Sequence, residues 1–393
     1  MRVLQVTAIP TTALRFVVPL ARALRDVGHA VEFASGPGLG LEAIEALGFG
    51  VHRLPISRSP LAVSNLHAVG ALRSLIRTQA FHVVHAHTPA AATVARLATR
   101  RLPARMLYTM HGSLWGTDAT AWQRALFTAI ERRLGRWTDL VFAVNPEDAA
   151  DCVARAGVPE DAVRTLPAGG AGVAPEFFID EEEVGALRRA VRGRLGLGAD
   201  DPVIVYVGRT AAAKGMRTLA RAFVRVAGAA ERARLLIVGS ALEGERDAYS
   251  RERFLAEVGE PAAAGVVWQG FREHVAPFVA AADVVVLPSR REGFGMSLAE
   301  AAAVGRPAVA TATRGARAVV EPGVTGSLVA VDDADALADE ILRLLDDEAL
   351  ASRLGAAARR RAAERFTRER VLAAYLEEYE SMDRAAAAPA AAR

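Results

Sequence analysis

Short runs rich in Val, Ile, Leu and other apolar residues recur along this chain. Each is followed by a longer stretch in which apolar residues return every three or four positions. The first pattern is that of strands buried on both faces, the second that of amphipathic helices, and their alternation predicts parallel sheets covered on both sides. In the first half the strand pattern falls at residues 3–7, 30–34, 51–54, 82–85, 106–109, 140–144 and 163–166. A second series falls at 203–207, 235–238, 266–268, 284–287, 308–310 and 327–329. Between the two series, residues 175–200 mix Pro, Gly, the acidic run Glu181 to Glu183 and a short helical stretch, the composition of a linker.

The pattern predicts an α/β chain of two doubly wound, Rossmann-like domains, residues 1–178 and 179–366, facing a central cleft. At 393 residues, 52% of them apolar, the chain is long enough for two cores. A helix at 367–383 is expected to cross back onto the first domain. The Ala-Pro tail, residues 384–393, is low in complexity and expected to be disordered. No run approaches the roughly 18 apolar residues of a membrane span, and the amino terminus lacks a signal core, so a cytoplasmic location is expected. A single cysteine, Cys152, excludes an internal disulfide and reads as a small buried hydrophobe.

Composition adds one sharp feature. Lys and Arg together number 48, yet only Lys214 is a lysine. An ammonium is a compact point charge and a guanidinium a planar fork, and the two differ most against phosphate oxygens in a narrow pocket. Lys214 follows a buried strand ending at Gly208-Arg209 and, with Gly215, opens a helix with apolar Met216, Leu219, Ala220, Phe223 and Val224. Two cations at the carboxyl end of a strand and the amino end of a helix make an anion site. About eighty residues on, another buried strand leads into Glu292-Gly293-Phe294-Gly295-Met296-Ser297-Leu298-Ala299-Glu300. The glycines let the backbone approach a ligand, the amides of a first turn at Met296 to Leu298 can meet a phosphate, and Glu300 can accept from a ribose diol. Taken singly, Glu300 is equally a glutamate favoured by the helix dipole and Glu292 an ordinary loop carboxylate.

The Gly208-Arg209 and Lys214-Gly215 segment, and the two glutamates eight apart around Glu292-Gly293-Phe294-Gly295, resemble the donor-site signatures of glycosyltransferase family 4. That family comprises retaining enzymes of the two-domain GT-B fold. His85-Ala86-His87-Thr88-Pro89, Tyr108 to Gly112, Asp139 to Val144 and Val238-Gly239 also fall where the family places its landmarks. The resemblance implies that Arg209 and Lys214 neutralise the donor diphosphate and that Glu300 binds the ribose. It further implies that Glu292 and the amides of Gly293, Phe294, Gly295, Met296, Ser297 and Leu298 hold sugar and phosphate, with His111 in the active site against the donor sugar. Two segments depart from the pattern. Ile9-Pro10-Thr11-Thr12 replaces the paired glycines common after the first strand, and Gly170-Ala171-Gly172-Val173-Ala174 lacks the usual Asn and Asp.

The remaining residues have competing readings. Without the resemblance, His111 is as well read as a satisfied core histidine. His85 and His87 lie two apart on one face of a strand end, where they can line the acceptor side or serve structurally; a metal would need a third ligand, and none has suitable spacing. Asp333-Ala334-Asp335 opens an amphipathic helix and reads as a cap. Gly36, Gly38 and Gly40 make only an imperfect dinucleotide pattern. The net charge of +3 is too even for nucleic acid binding. Arg96, Arg100, Arg101, Arg105, Arg132, Arg133 and Arg136 read as solvated helix ends, the alternative being peripheral contact of the basic N-terminal domain with an anionic membrane.

The resulting expectation is a retaining glycosyltransferase, independent of metal and of any cofactor, that moves a sugar from a nucleoside diphosphate sugar, UDP first among them. The acceptor is a hydroxyl of a natural product or a lipid-linked saccharide. A sugar-nucleotide epimerase of the same build and a non-catalytic nucleotide-sugar binding protein are the rival readings, and the sequence leaves the oligomeric state open.

Overall fold

Every apolar run named above forms a strand in the computed structural model, which describes residues 1–59, 62–113, 115, 120–242, 245 and 247–387, with side chains to Arg384. The first seven are β1 (Arg2–Thr7), β2 (Ala30–Ser35), β3 (Gly50–Arg53), β4 (Val83–His87), β5 (Arg105–Met110), β6 (Leu140–Ala143) and β7 (Val163–Thr165). They form one sheet in the order β3-β2-β1-β4-β5-β6-β7, all pairs parallel. The next six are β8 (Val203–Val207), β9 (Arg234–Val238), β10 (Val266–Gly270), β11 (Val284–Leu287), β12 (Ala308–Thr311) and β13 (Gly326–Val329). Their order is β10-β9-β8-β11-β12-β13, again all parallel. In each sheet the strand order reverses once, between β1 and β4 and between β8 and β11. Ligands of doubly wound sheets bind beyond the carboxyl ends of the strands at such a switch point. Thr7 and His87 end the strands at the first, Val207 and Leu287 at the second.

Two units divide the chain: Met1–Gly172 with Arg368–Arg393, and Val173–Thr367. The division falls six residues before the sequence-based boundary at 178, because the Val173 N–H donates to the Phe366 carbonyl at 2.7 Å and ties this segment to the second unit. The helix Arg368–Ala387 belongs to the first unit and buries Val371, Tyr375 and Tyr379 there. It also corrects the expected tail: residues 384–387 are helical, since alanine is the best helix former, while residues 388–393 lie outside the described part.

A second correction concerns Arg96, which is no solvated helix end. Its side chain lies fully buried in the first unit's core, with Nη1 2.9 Å from Glu131 Oε2, Nε donating to Thr138 Oγ1 at 2.8 Å and the guanidinium over the Tyr108 ring. The Ala-rich helix Pro89–Thr99 turns this arginine inward, and removing either partner would strand a buried charge. The other six arginines of that set are exposed. Val224, expected on the buried face of its helix, is 40% exposed, and Val226 takes the buried place. Cys152 is buried as expected, and burial pushes its thiol up to about 12.

Candidate active site

The residues expected to meet the donor lie at the switch point of the second sheet. Beyond β8, Gly208 passes so close to Gly239 at the end of β9 that a Cβ on Gly239 would lie 1.8 Å from the Gly208 carbonyl oxygen. Arg209 follows, its carbonyl accepting the Tyr206 hydroxyl proton at 2.6 Å and its guanidinium ion-paired with the nearly buried carboxylate of Glu245. Burial first, and the charge of Glu292 second, raise the pKa of the Tyr206 hydroxyl and keep it a donor. Asp247 holds the next turn by accepting the Ala213 N–H at 3.0 Å on its carboxylate and the Ala212 N–H at 2.8 Å on its carbonyl. The chain then reaches Lys214 and Gly215. Gly215 has φ +73° and caps the helix Met216–Ala229; its Cβ would lie 1.8 Å from the Pro288 carbonyl oxygen, so the loops after β8 and β11 touch backbone to backbone. The Arg290 N–H donates to the Ala213 carbonyl at 3.0 Å across the same seam.

This seam brings Lys214 and Glu292 together. Lys214 Nζ lies 2.6 Å from Glu292 Oε1, and Ser289 Oγ donates to the same oxygen at 2.6 Å. Both side chains are largely enclosed, 18% and 11% exposed. Each cation of the expected anion site therefore stands beside a carboxylate, which orients it before any ligand arrives and with which a diphosphate would compete. Glu292 is thus part of the cation's mounting. Downstream, the Gly315 N–H donates to the Glu292 carbonyl at 3.1 Å, and a Cβ on Gly315 would lie 2.5 Å from the Phe294 nitrogen. Gly295, with φ +69°, caps the helix Met296–Val304. The Leu298 N–H donates to the Gly295 carbonyl at 2.9 Å, so that amide is used within the turn, and Met296 and Ser297 carry the first amides of the helix. Phe294 packs edge-on against Phe366 and Leu298 is buried, so these two act through backbone and core rather than as ligand-facing side chains. Glu300 lies on the same helix with its side chain buried.

In the first unit, three histidines stack at the ends of β4 and β5. His85 and His87 have ring centroids 4.3 Å apart, His87 and His111 5.4 Å. His85 Nδ1 is 2.8 Å from Tyr379 Oη, and its Nε2 is 2.8 Å from Thr109 Oγ1, which in turn lies 3.0 Å from Tyr375 Oη. His87 Nε2 is 2.8 Å from Gln5 Oε1, and its Nδ1 is 3.2 Å from His111 Nε2. Both rings are buried with both nitrogens engaged inside the unit, which corrects the expectation that His85 and His87 meet an acceptor. Of the three residues, His111 alone is only partly buried. Burial lowers all three pKa values, His111 to about 4, His85 to about 3 and His87 well below the usual value. All three are neutral at pH 7.

The two segments that depart from the family pattern converge on His111. Pro10–Thr12 start a helix, and the π-helical turn Ala13–Val17 after it brings Phe16 to 5.5 Å from the His111 ring. Gly170, at φ +84°, lies so near that its Cβ would stand 3.1 Å from His111 Cε1 and 3.4 Å from Tyr375 Oη.

Comparison with known proteins decides the family. The model for group 1 glycosyl transferases matches residues 201–347 and that for the glycosyl transferase 4-like domain matches 12–169. EpsD of Bacillus subtilis is 30% identical over 360 residues, 91% of this chain and 90% of its own. The chain is a family 4 glycosyltransferase. A D-inositol 3-phosphate glycosyltransferase of Xylanimonas cellulosilytica is 32% identical over 307 residues, 76% of this chain and 72% of its own. Among solved structures, a sucrose-phosphate synthase of Thermosynechococcus elongatus superposes with a TM-score of 0.81 at 23% identity, covering 98% of this chain and all of its own. HepE of Anabaena in complex with UDP gives 0.77 at 21% identity, covering 97% and 100%. These two share the GT-B fold with this glycosyltransferase.

Several residues that pack around the candidate site escaped the sequence reading. Glu245 and Asp247 sit in a loop whose only signal is its acidity, and Ser289 is one hydroxyl among many. Gln5, Thr109, Tyr375 and Tyr379 carry no motif, and the two tyrosines come from a helix more than 260 residues away in the chain. Gly315 had a weak signal, a glycine just beyond a buried strand. Asp333 is the cap it was read to be, its Oδ1 accepting the Ala336 N–H at 2.9 Å, and Asp335 pairs with Arg225 at 2.9 Å. The glycines after β2 serve packing: a Cβ on Gly36 would lie 2.3 Å from the Ile56 carbonyl oxygen. Among the described residues, no helix is long and apolar enough to cross a membrane.

Proposed function

We propose that this glycosyltransferase moves a sugar from UDP to an acceptor hydroxyl with retention of anomeric configuration and without a metal ion. The observation that carries this reading is Lys214, mounted on Glu292 at 2.6 Å beside the amino end of the helix Met296–Val304, with Arg209 on the neighbouring strand end. As the bond from the anomeric carbon to the diphosphate oxygen breaks, negative charge grows on the departing diphosphate. Lys214, Arg209 and the amides of Met296 and Ser297 then stabilise the transition state more than the ground state. The new bond forms between the anomeric carbon and the acceptor oxygen, and the acceptor proton passes to the leaving diphosphate, so no protein base is needed. Glu300 holds the ribose and His111 meets a sugar hydroxyl.

Two carboxylates that a metal-dependent transferase would turn to the ion, Asp333 and Asp335, are engaged as cap and ion pair, which favours the electrostatic reading. UDP is favoured because HepE of Anabaena, a protein of the same fold, is known in complex with it. The acceptor is a natural product or a lipid-linked saccharide. For the latter, the exposed Arg100, Arg101, Arg105, Arg132, Arg133 and Arg136 provide a basic face for an anionic membrane surface. The test is the anomeric proton of the product by NMR: a UDP-α-sugar is expected to give an α-linked product, and a β-linked product overturns the retaining mechanism.

A further inference from the structure

We infer that Gln5 is a positioning residue that fixes the tautomer of His111 through His87, so that His111 offers a bare Nδ1 as hydrogen-bond acceptor to a sugar hydroxyl. The inference deepens the reading above and rests on it only for the ligand; the relay itself follows from the buried geometry.

Gln5 lies at the middle of β1 with no exposed surface, between two chains of hydrogen bonds. Its carbonyl Oε1 is 2.8 Å from His87 Nε2, and an amide oxygen can only accept, so His87 carries its proton on Nε2. A neutral imidazole has one proton, which leaves His87 Nδ1 bare. His111 Nε2, 3.2 Å away, must then be the donor of that pair, and the remaining nitrogen of His111, Nδ1, carries a lone pair. Gln5 Nε2 points the other way, 3.5 Å from Tyr379 Oη, which is 2.8 Å from His85 Nδ1. The donors from His87 to His111 are thus set by the orientation of one amide, and turning that amide over would reverse them. The low pKa values of the three histidines keep single protons on the rings, as the relay requires. Gly170 completes the arrangement, because a side chain there would press on the Cε1–Nδ1 edge that His111 offers.

The test is long-range proton–nitrogen correlation NMR on the full chain, with histidine labelled by nitrogen-15 and His111 assigned by loss of its signals in His111→Asn. At pH 7.5 the wild type is expected to show His111 protonated on Nε2 with a bare Nδ1. Gln5→Glu retains an acceptor at His87 and is expected to keep that pattern. Gln5→Leu removes the acceptor and is expected to replace it by a mixture of tautomers; should that variant fail to fold, the wild type and Gln5→Glu still decide. A wild-type His111 protonated on Nδ1, or a folded Gln5→Leu with the wild-type spectrum, overturns the relay. No donor or acceptor is needed, so the outcome is independent of whether transfer is observed. If transfer is observed, Gln5→Leu is expected to lower kcat about 10-fold, the worth of one misdirected hydrogen bond. An unchanged kcat alongside a changed tautomer would refute the ligand contact while leaving the relay intact.

Discussion

Replacing Lys214 by alanine is expected to do two separable things, and the structure sets the size of each. The ammonium is 2.6 Å from Glu292 Oε1 in a site where both side chains are largely enclosed. Loss of a preorganised donor to the departing diphosphate is worth roughly 3 to 4 kcal/mol, or about 10² to 10³ in turnover. Loss of the partner also leaves the Glu292 carboxylate with only the Ser289 hydroxyl on that oxygen. A hydrogen bond to a charged group contributes about 1.5 to 3 kcal/mol, and stability is expected to fall within that range. The double variant Lys214→Ala/Glu292→Gln separates the effects: a neutral amide needs no cation, so stability is expected to recover while turnover stays low. Stability is read by urea denaturation, turnover by release of the nucleoside diphosphate. Lys214→Arg is expected to be impaired as well, since two donors converge here on one carboxylate oxygen, a point-charge geometry that a planar fork does not reproduce. Turnover of Lys214→Ala within threefold of wild type refutes the assignment of Lys214 to the diphosphate.

Glu300→Ala is expected to weaken UDP binding about 10- to 100-fold by calorimetry, the loss of a charged hydrogen bond; an unchanged affinity places Glu300 outside the site. Gly215→Ala puts a Cβ 1.8 Å from the Pro288 carbonyl oxygen at φ +73°, so circular dichroism melts should show a loss of several kcal/mol, of the kind caused by overpacking and strain together, and a wild-type melt would contradict the seam described here. His85, His87 and His111 have folded pKa values below the ordinary 6.5, so their contribution to stability is complete above about pH 6.5 and is lost as pH falls toward 4. Each such histidine adds a slope of up to about 1.4 kcal/mol per pH unit in that window, and a urea midpoint that stays flat between pH 6.5 and 4.5 would rule this out. Asp333→Asn with Asp335→Asn is expected to cost about 1 kcal/mol or less, because asparagine also caps helices and the Arg225 pair is exposed, with turnover unchanged; a large loss of turnover would return these carboxylates to the chemistry.

Central strands such as β8 and β11 were legible because a strand buried on both faces leaves an unbroken apolar run, whereas the edge strands β3, β7 and β10 are only partly buried and were legible from their place in the alternation. The placement of Lys214 and Glu292 beyond strand ends was legible for a different reason: the glycines of those loops are themselves written in the sequence. What lay beyond reach was the choice of partners. Nothing local says that Arg209 will find Glu245, or that Gln5 will lie between His87 and Tyr379 from the far end of the chain. Arg96 was misread because an arginine in an Ala-rich helix looks solvated, and only the packing of that helix beside Glu131 turns it inward. The alanine-rich tail was read as low complexity, whereas its first residues simply extend a helix already fixed by Val371, Tyr375 and Tyr379 in the core.

The most direct measurement of the central claim is release of UDP from a panel of UDP-sugars by the wild-type protein and Lys214→Ala, with excess chelator and without acceptor. Slow hydrolysis of at least one donor, undiminished by chelator and lowered at least 10²-fold by Lys214→Ala, is the predicted result. Release that chelator abolishes and Mg²⁺ or Mn²⁺ restores, or release that does not depend on Lys214, would contradict it.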